Sequence, residues 1–124
     1  MNRRINLGDA STDQLVARFA ELSIEQDDAL LRNDISRVNR LFDRLEDVEH
    51  TLKTRTGDQR RALLSLYNNP NMNVRLKAAK ATLAVAPQSA RAALEAISKS
   101  KWQPQAGDAG MCLLALDRGI FKPT

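Results

Sequence analysis

Residues 72–86, Met-Asn-Val-Arg-Leu-Lys-Ala-Ala-Lys-Ala-Thr-Leu-Ala-Val-Ala, contain no Gly or Pro and no strand-like alternation. At ~100° per residue, Met72, Leu76, Ala79, Leu83 and Ala86 share one stripe, and Val74, Ala78, Ala81 and Val85 share another roughly opposite. A surface helix needs one such stripe. Two predict a middle helix covered on both sides, with Lys77, Lys80 and Ala84 on one narrow edge and Arg75 and Thr82 on the other. The small Ala residues would let its neighbours approach closely.

Taken from the start, the chain opens with a lead-in over residues 1–10 that is expected to be flexible. Ser11 with Gln14 then forms a capping-box pattern. Leu15, Phe19 and Leu22 follow at helical spacing, and the pattern runs on to Asn33-Asp34. From the Asp34 cap, Ile35, Val38, Leu41, Phe42, Leu45, Val48 and Leu52 define the clearest amphipathic stripe in the chain. Arg37, Arg40, Asp43, Arg44, Glu46, Asp47 and Lys53 lie off that stripe as a solvated surface with local ion pairs. Gly57 ends this segment. The predicted helices are 12–32, 34–55, 58–67, 72–86, 88–99 and 105–117.

Beyond Gly57 the punctuation becomes regular, for Pro70, Pro87 and Pro104 are spaced 17 residues apart. Proline is accepted in turns and in a helix's first turn but not in its interior, so each helix with its turn occupies one interval. Two intervals have the length of a helix-turn-helix repeat of the kind that stacks into α-solenoids. Gly57-Asp58 ahead of Leu63-Leu64-Ser65-Leu66 is echoed by Gly107-Asp108 ahead of Leu113-Leu114-Ala115-Leu116. Both Gly-Asp pairs read as a turn followed by a carboxylate at a helix start.

Asn71-Met-Asn-Val74-Arg75 with Ala78, Ala79 and Leu83 resembles the second helix of a HEAT repeat. The resemblance implies one repeat over residues 58–86 and a degenerate second over 88–117, which lacks a Val-Arg pair. It also implies that Arg75 bridges neighbouring helices through turn carbonyls or a carboxylate such as Asp58 or Asp108. The segments Gly57-Asp-Gln-Arg-Arg-Ala-Leu-Leu, Pro104-Gln-Ala-Gly-Asp-Ala-Gly-Met and Leu116-Asp-Arg-Gly-Ile-Phe-Lys-Pro123 resemble a small bacterial family known as domain of unknown function two-thousand-nineteen. That likeness covers most of residues 12–123 and implies a fold, with no activity and no functional residues to carry over.

Composition agrees with an all-α chain: 43% hydrophobic, 4% aromatic and rich in Ala and Leu over 124 residues, enough for one domain with its own core. No apolar h-region follows the N-terminal basic residues, and no stretch approaches the ~18 apolar residues of a membrane span, so a cytoplasmic protein is expected. Catalytic chemistry finds little to work with. The single His50 lies on a polar helix face, the single Cys112 sits in an apolar Met-Cys-Leu-Leu setting, and there is no Gly-rich phosphate loop. Neither enzyme, metal nor cofactor is expected.

Charge changes the picture more, because residues 1–56 carry net −2 and residues 57–124 carry net +6. Arg60, Arg61, Lys77, Lys80, Lys99 and Lys101 form a candidate basic surface, with Trp102 beside it as a ring that stacks on a base or packs as a plug against the last helix. Packing is the favoured reading of Trp102. The whole is read as a six-helix, HEAT-like, right-handed αα-superhelix, a short α-solenoid acting as a non-catalytic protein-binding module. A regulatory or toxin-neutralising partner is conceivable for such a module, and the chain is expected to be a monomer or weak homodimer. Sequence-independent nucleic-acid binding through the basic half is the alternative. The tail Gly119-Ile-Phe-Lys-Pro-Thr is expected to fold back over one end through Ile120 and Phe121.

Overall fold

The computed structural model describes residues 6–124; the first five residues of the expected flexible lead-in lie outside the described residues. Five α-helices and one 3-10 helix follow in order: α1 (Thr12–Leu31), α2 (Ile35–Thr54), a 3-10 helix (Gln59–Asn68), α3 (Met72–Ala81), α4 (Pro87–Lys99) and α5 (Gln105–Asp117). No strand occurs among the described residues. The backbone clusters into two compact units, Met1–Ala62 and Leu63–Thr124.

In the first unit α1 and α2 pack as an antiparallel pair. Ser11 closes a capping box with Gln14 at the start of α1. At its other end the Asp34 N–H reaches Ala29 O and the Asn33 N–H reaches Leu30 O, with Asn33 in the left-handed region at φ 56°. This is a Schellman ending with Asn in place of Gly. Asp34 then accepts the Arg37 N–H and caps α2. Leu15, Phe19, Leu22 and Ala29 of α1 and Leu41, Leu45, Val48 and Leu52 of α2 are buried. Ile35 and Phe42, expected on that stripe, are exposed. They sit about 100–120° round the helix from Leu41, on the flank of α2 and not under α1. The ion pairing also departs from the local pattern expected along α2, since Arg37 reaches back to Glu25 and Asp28 on α1. Residues 6–10 form a hydrogen-bonded turn, and Arg55 donates to the Leu7 and Ala10 carbonyls.

The segment predicted as a helix over 58–67 is a 3-10 helix, and its burial shows why. Arg60, Leu63 and Leu66 are buried at spacing three, the repeat at which 3-10 side chains eclipse.

In the second unit α3 packs with α4 and α5. Leu76, Ala79, Leu83, Ala90, Leu94, Ile97, Ala109 and Cys112 form the core, with Tyr67, Met72, Ala93, Leu113 and Leu116 against it. The other predicted stripe of α3 is buried too at Val74, Ala78 and Ala81. Asn71 caps the helix by accepting the Asn73 and Val74 N–H groups. The helix does not reach residue 86 as expected; it stops at Ala81. Thr82 is fully buried, its hydroxyl donates to Ala78 O, and Ala86, ahead of Pro87, leaves the helical region at φ −145°. Leu83 stays in the core although the backbone has turned. The three evenly spaced prolines fall in the turn before α3, at the first position of α4 and at the cap position of α5.

Leu76→Asp should abolish cooperative unfolding at ordinary temperature, because it puts an unpaired carboxylate into the core at a cost of several kcal/mol. Asn71→Ala should lower stability by about 1 kcal/mol. Denaturant melts of both variants check this; a Leu76→Asp protein that melts like the wild type would place α3 on the surface.

Candidate functional site

The predicted basic set does not behave as one surface. Arg60 is 5% exposed, and its guanidinium clasps the Asp58 carboxylate through Nε to Oδ1 at 2.9 Å and Nη2 to Oδ2 at 2.7 Å. Asp58 stands at φ 50°, and its Oδ1 also accepts the Arg60 backbone N–H. The expectation that Arg60 presents charge to a partner is therefore corrected: a buried fork committed to a carboxylate is part of the scaffold. The same geometry corrects Asp58, which serves Arg60 and not Arg75. Arg60 holds the Asp58 carboxyl below its usual range. Burial pushes nearby Glu49 the other way, against the attraction of Arg60. Arg61 is exposed.

In the second unit Lys80 pairs with Asp108 at 3.0 Å. Asp108 lies inside the first turns of α5 with Gly107 helical ahead of it, so the echo of Gly57-Asp58 is not structural; Gly57 alone occupies a left-handed turn, at φ 80°. Lys77 is half-buried, and burial with the neighbouring Lys80 lowers the pKa of its ammonium group. Lys99 and Lys101 are exposed. Trp102 is 62% exposed, so the plug reading is also corrected. Leu94, Ile97, Ala109 and Cys112 make the core between α4 and α5, and Trp102 sits in their connection with its backbone N–H donated to Ser100 Oγ. Cys112 is buried and burial raises its pKa, which keeps it a thiol.

Arg75 donates through Nε to Asn69 O at 2.6 Å and so ties α3 to the turn before it. It also borders a half-open cavity of about 110 Å³ lined by Tyr67, Met72, Ala93, Ala96, Ile97 and Ser100. Tyr67 donates its hydroxyl to Thr82 Oγ1, whose own proton is given to Ala78 O. The cavity holds one small side chain and brings together no acid-base pair.

The sequence reading missed a different feature. Helix α5 buries Gln105, Ala106, Ala109 and Cys112 and turns Met111 and Leu114 outward. Two ion pairs flank that outer face: Lys80–Asp108 ties α5 to α3, and Arg91–Asp117 at 2.8 Å ties it to α4. Beyond Asp117 a second Schellman ending, with Gly119 at φ 69°, brings the Ile120 and Phe121 N–H groups onto Ala115 O. The tail does fold back, but Ile120 remains 75% and Met111 68% exposed, so it does not close the apolar face and adds exposed apolar side chains at the end of the helix. Arg118 falls on the Met111–Leu114 stripe, seven residues after Met111. The run Met-Cys-Leu-Leu-Ala-Leu was the available signal, being apolar on every side of the helix when a surface helix needs one apolar side.

Among the described residues no three His, Cys, Asp or Glu side chains gather as metal ligands, and no helix is long and apolar enough to cross a membrane. Residues 13–117 match the family described as Domain of unknown function (DUF2019). A solved structure, the crystal structure of the protein RPA1889 from Rhodopseudomonas palustris CGA009, is similar at 61% identity and TM-score 0.94, over 98% of this chain and 100% of that one. A comparison with curated proteins gave no match.

Asp58→Asn should cost about 2 kcal/mol, below the ~3–5 of a fully buried pair because the carboxylate is partly open to water. The native Asp58 pKa is lowered, so the pair's contribution is complete above the ordinary Asp value of ~3.9 and disappears as pH falls through the lower native value. Denaturant titrations of wild type and variant should differ at neutral pH and converge in acid. A gap that persists unchanged in acid would show that Asp58 acts through something other than its charge.

Proposed function

The chain belongs to the DUF2019 family, and on that premise we propose that it is a non-catalytic protein-interaction module. The observation that carries this reading is the outer face of α5, where Met111 and Leu114 stand in water on a helix already held to its neighbours by core contacts and ion pairs, with exposed Ile120 and Phe121 in the tail tied back to it. Exposed apolar patches of this kind mark interaction sites in stable proteins. The HEAT-like repeat arrangement, as one domain over residues 11–124 in the cytoplasm, is part of the proposal. The proline-marked starts of α3, α4 and α5 and the Arg75 tie to its turn support it.

Nucleic-acid binding is the weaker reading, and specific contacts weaken it. Arg60 is consumed by Asp58, Lys80 by Asp108, and Lys77 is half-buried. A catalytic reading finds little support in groups whose pKa values are lowered by ion-paired arginines, Asp28 by Arg32 and Arg37, Asp58 by Arg60 and Asp117 by Arg91, or raised by burial against a hydrogen bond, as at Tyr67.

Two measurements test the proposal. Fluorescence anisotropy should show no binding of short duplex or single-stranded oligonucleotides near a physiological ionic strength of ~0.15 M; micromolar binding lost on replacing Lys77, Lys80, Lys99 and Lys101 by Gln would overturn it. A photo-crosslinking residue at position 111, introduced in the native cells, should give a discrete protein adduct that the same residue at exposed position 53 does not. Absence of any adduct from 111 would remove the basis of the reading.

A further inference from the structure

The electrostatics of the α5 face restrict what can occupy it. The helix carries two carboxylates, and both are engaged at its edges, Asp108 by Lys80 and Asp117 by Arg91. Outside these pairs, every charged side chain of α5, of the tail after it and of the connection ahead of it is positive. Arg118 lies on the Met111–Leu114 stripe, Lys122 follows Phe121 in the folded-back tail, Lys99 ends α4 and Lys101 stands in the connection that leads into α5. These four are exposed and make no ion pair among the described residues. From this placement we infer that the face receives an acidic amphipathic helix of a partner protein, its apolar side against Met111, Leu114, Ile120 and Phe121 and its carboxylates on the surrounding cations.

A second copy of the chain fits less well. In a two-fold pairing the same patch meets itself. If the two α5 helices ran antiparallel, Arg118 and Lys122 would approach the other copy's Lys99 and Lys101. If they ran parallel, Arg118 would meet Arg118. Either way cation faces cation, and such juxtapositions select against a pairing. An acidic helix reverses the sign of every one of these contacts, and its apolar stripe at i, i+3, i+4 and i+7 matches a helix-in-groove mode of binding. The face is also fixed in place before binding. Core residues Ala109 and Cys112 anchor α5 from below, and the hydrogen bonds to Ala115 O fasten the backbone of Ile120 and Phe121 to the last turns of α5, so little ordering is left to oppose association.

This inference rests on the interaction-module reading, and its experiment separates the two. The probe is a synthetic amphipathic helix with Leu at i, i+3, i+4 and i+7 and Glu on both flanks, compared with a twin carrying Lys in place of each Glu. The full chain should bind the Glu peptide at least about tenfold more tightly than the Lys peptide, with a preference that salt reduces. Met111→Ser with Leu114→Ser, both on exposed positions and so without loss of melting temperature, should abolish binding. Arg118→Glu with Lys122→Glu should invert the preference. Equal binding of the two peptides, preference for the Lys twin or failure to invert overturns the acidic partner while leaving an apolar interaction face in place. A chain that binds neither peptide also overturns it. If that chain sediments as a dimer which Met111→Ser and Leu114→Ser dissociate, a second copy is the occupant. If it sediments as a monomer and position 111 gives no crosslink, the module reading falls with it.

Discussion

Helix α3 holds its place because half of the side chains it buries are alanine. Ala78, Ala79 and Ala81 are buried together with Asn73, Val74 and Leu76, so a ten-residue helix is covered on two opposite stripes, and the alanines keep those contacts short. Close packing of this sort leaves no slack for longer side chains. It also explains the early stop at Ala81. The core contact of Leu83 is made from a turn, and Thr82 satisfies the helix end internally by donating to Ala78 O while accepting from Tyr67. Arg75, half-buried at the edge of α3, is used in the same economical way, fastening the preceding turn through Asn69 O.

Charge is allocated with similar consistency, and function follows from what is left over. The cations that look most prominent in the basic half are spent on structure: Arg60 on Asp58, Lys80 on Asp108, Arg91 on Asp117. The formal excess of +4 therefore says less about a nucleic-acid partner than the positions of the cations that remain. Those positions are beside an apolar face, and an apolar face with a basic rim selects a partner by charge and by shape at once.

Helix starts were legible from periodicity and punctuation because those signals are local. Ser11-Gln14, Asp34 and Pro87 each act within one turn of where they stand, and α5 begins and ends where the pattern placed it. The 3-10 geometry was hidden because one of its three buried positions is Arg60, which a hydrophobic pattern discards. The roles of Arg60 and Trp102 were misjudged for one reason: side-chain type was allowed to stand for environment. Arg60 is buried with its guanidinium on Asp58, and Trp102 is exposed in a connection beside a core made by other residues of α4 and α5. The outer face of α5 was legible in principle. Its apolar run has no polar side, and the expectation that such a run is buried is the expectation that something covers it.

The chain's methionines make that expectation measurable, since Met72 lies against the core of the second unit and Met111 lies on the outer face of α5. With the methionine methyl groups isotopically labelled and the Glu-flanked amphipathic helix added stepwise, the methyl resonance of Met111 should shift or broaden in a saturable way while that of Met72 stays where it was. A saturable change at Met72 with Met111 unmoved would contradict the account, for the partner would then be reading a different surface.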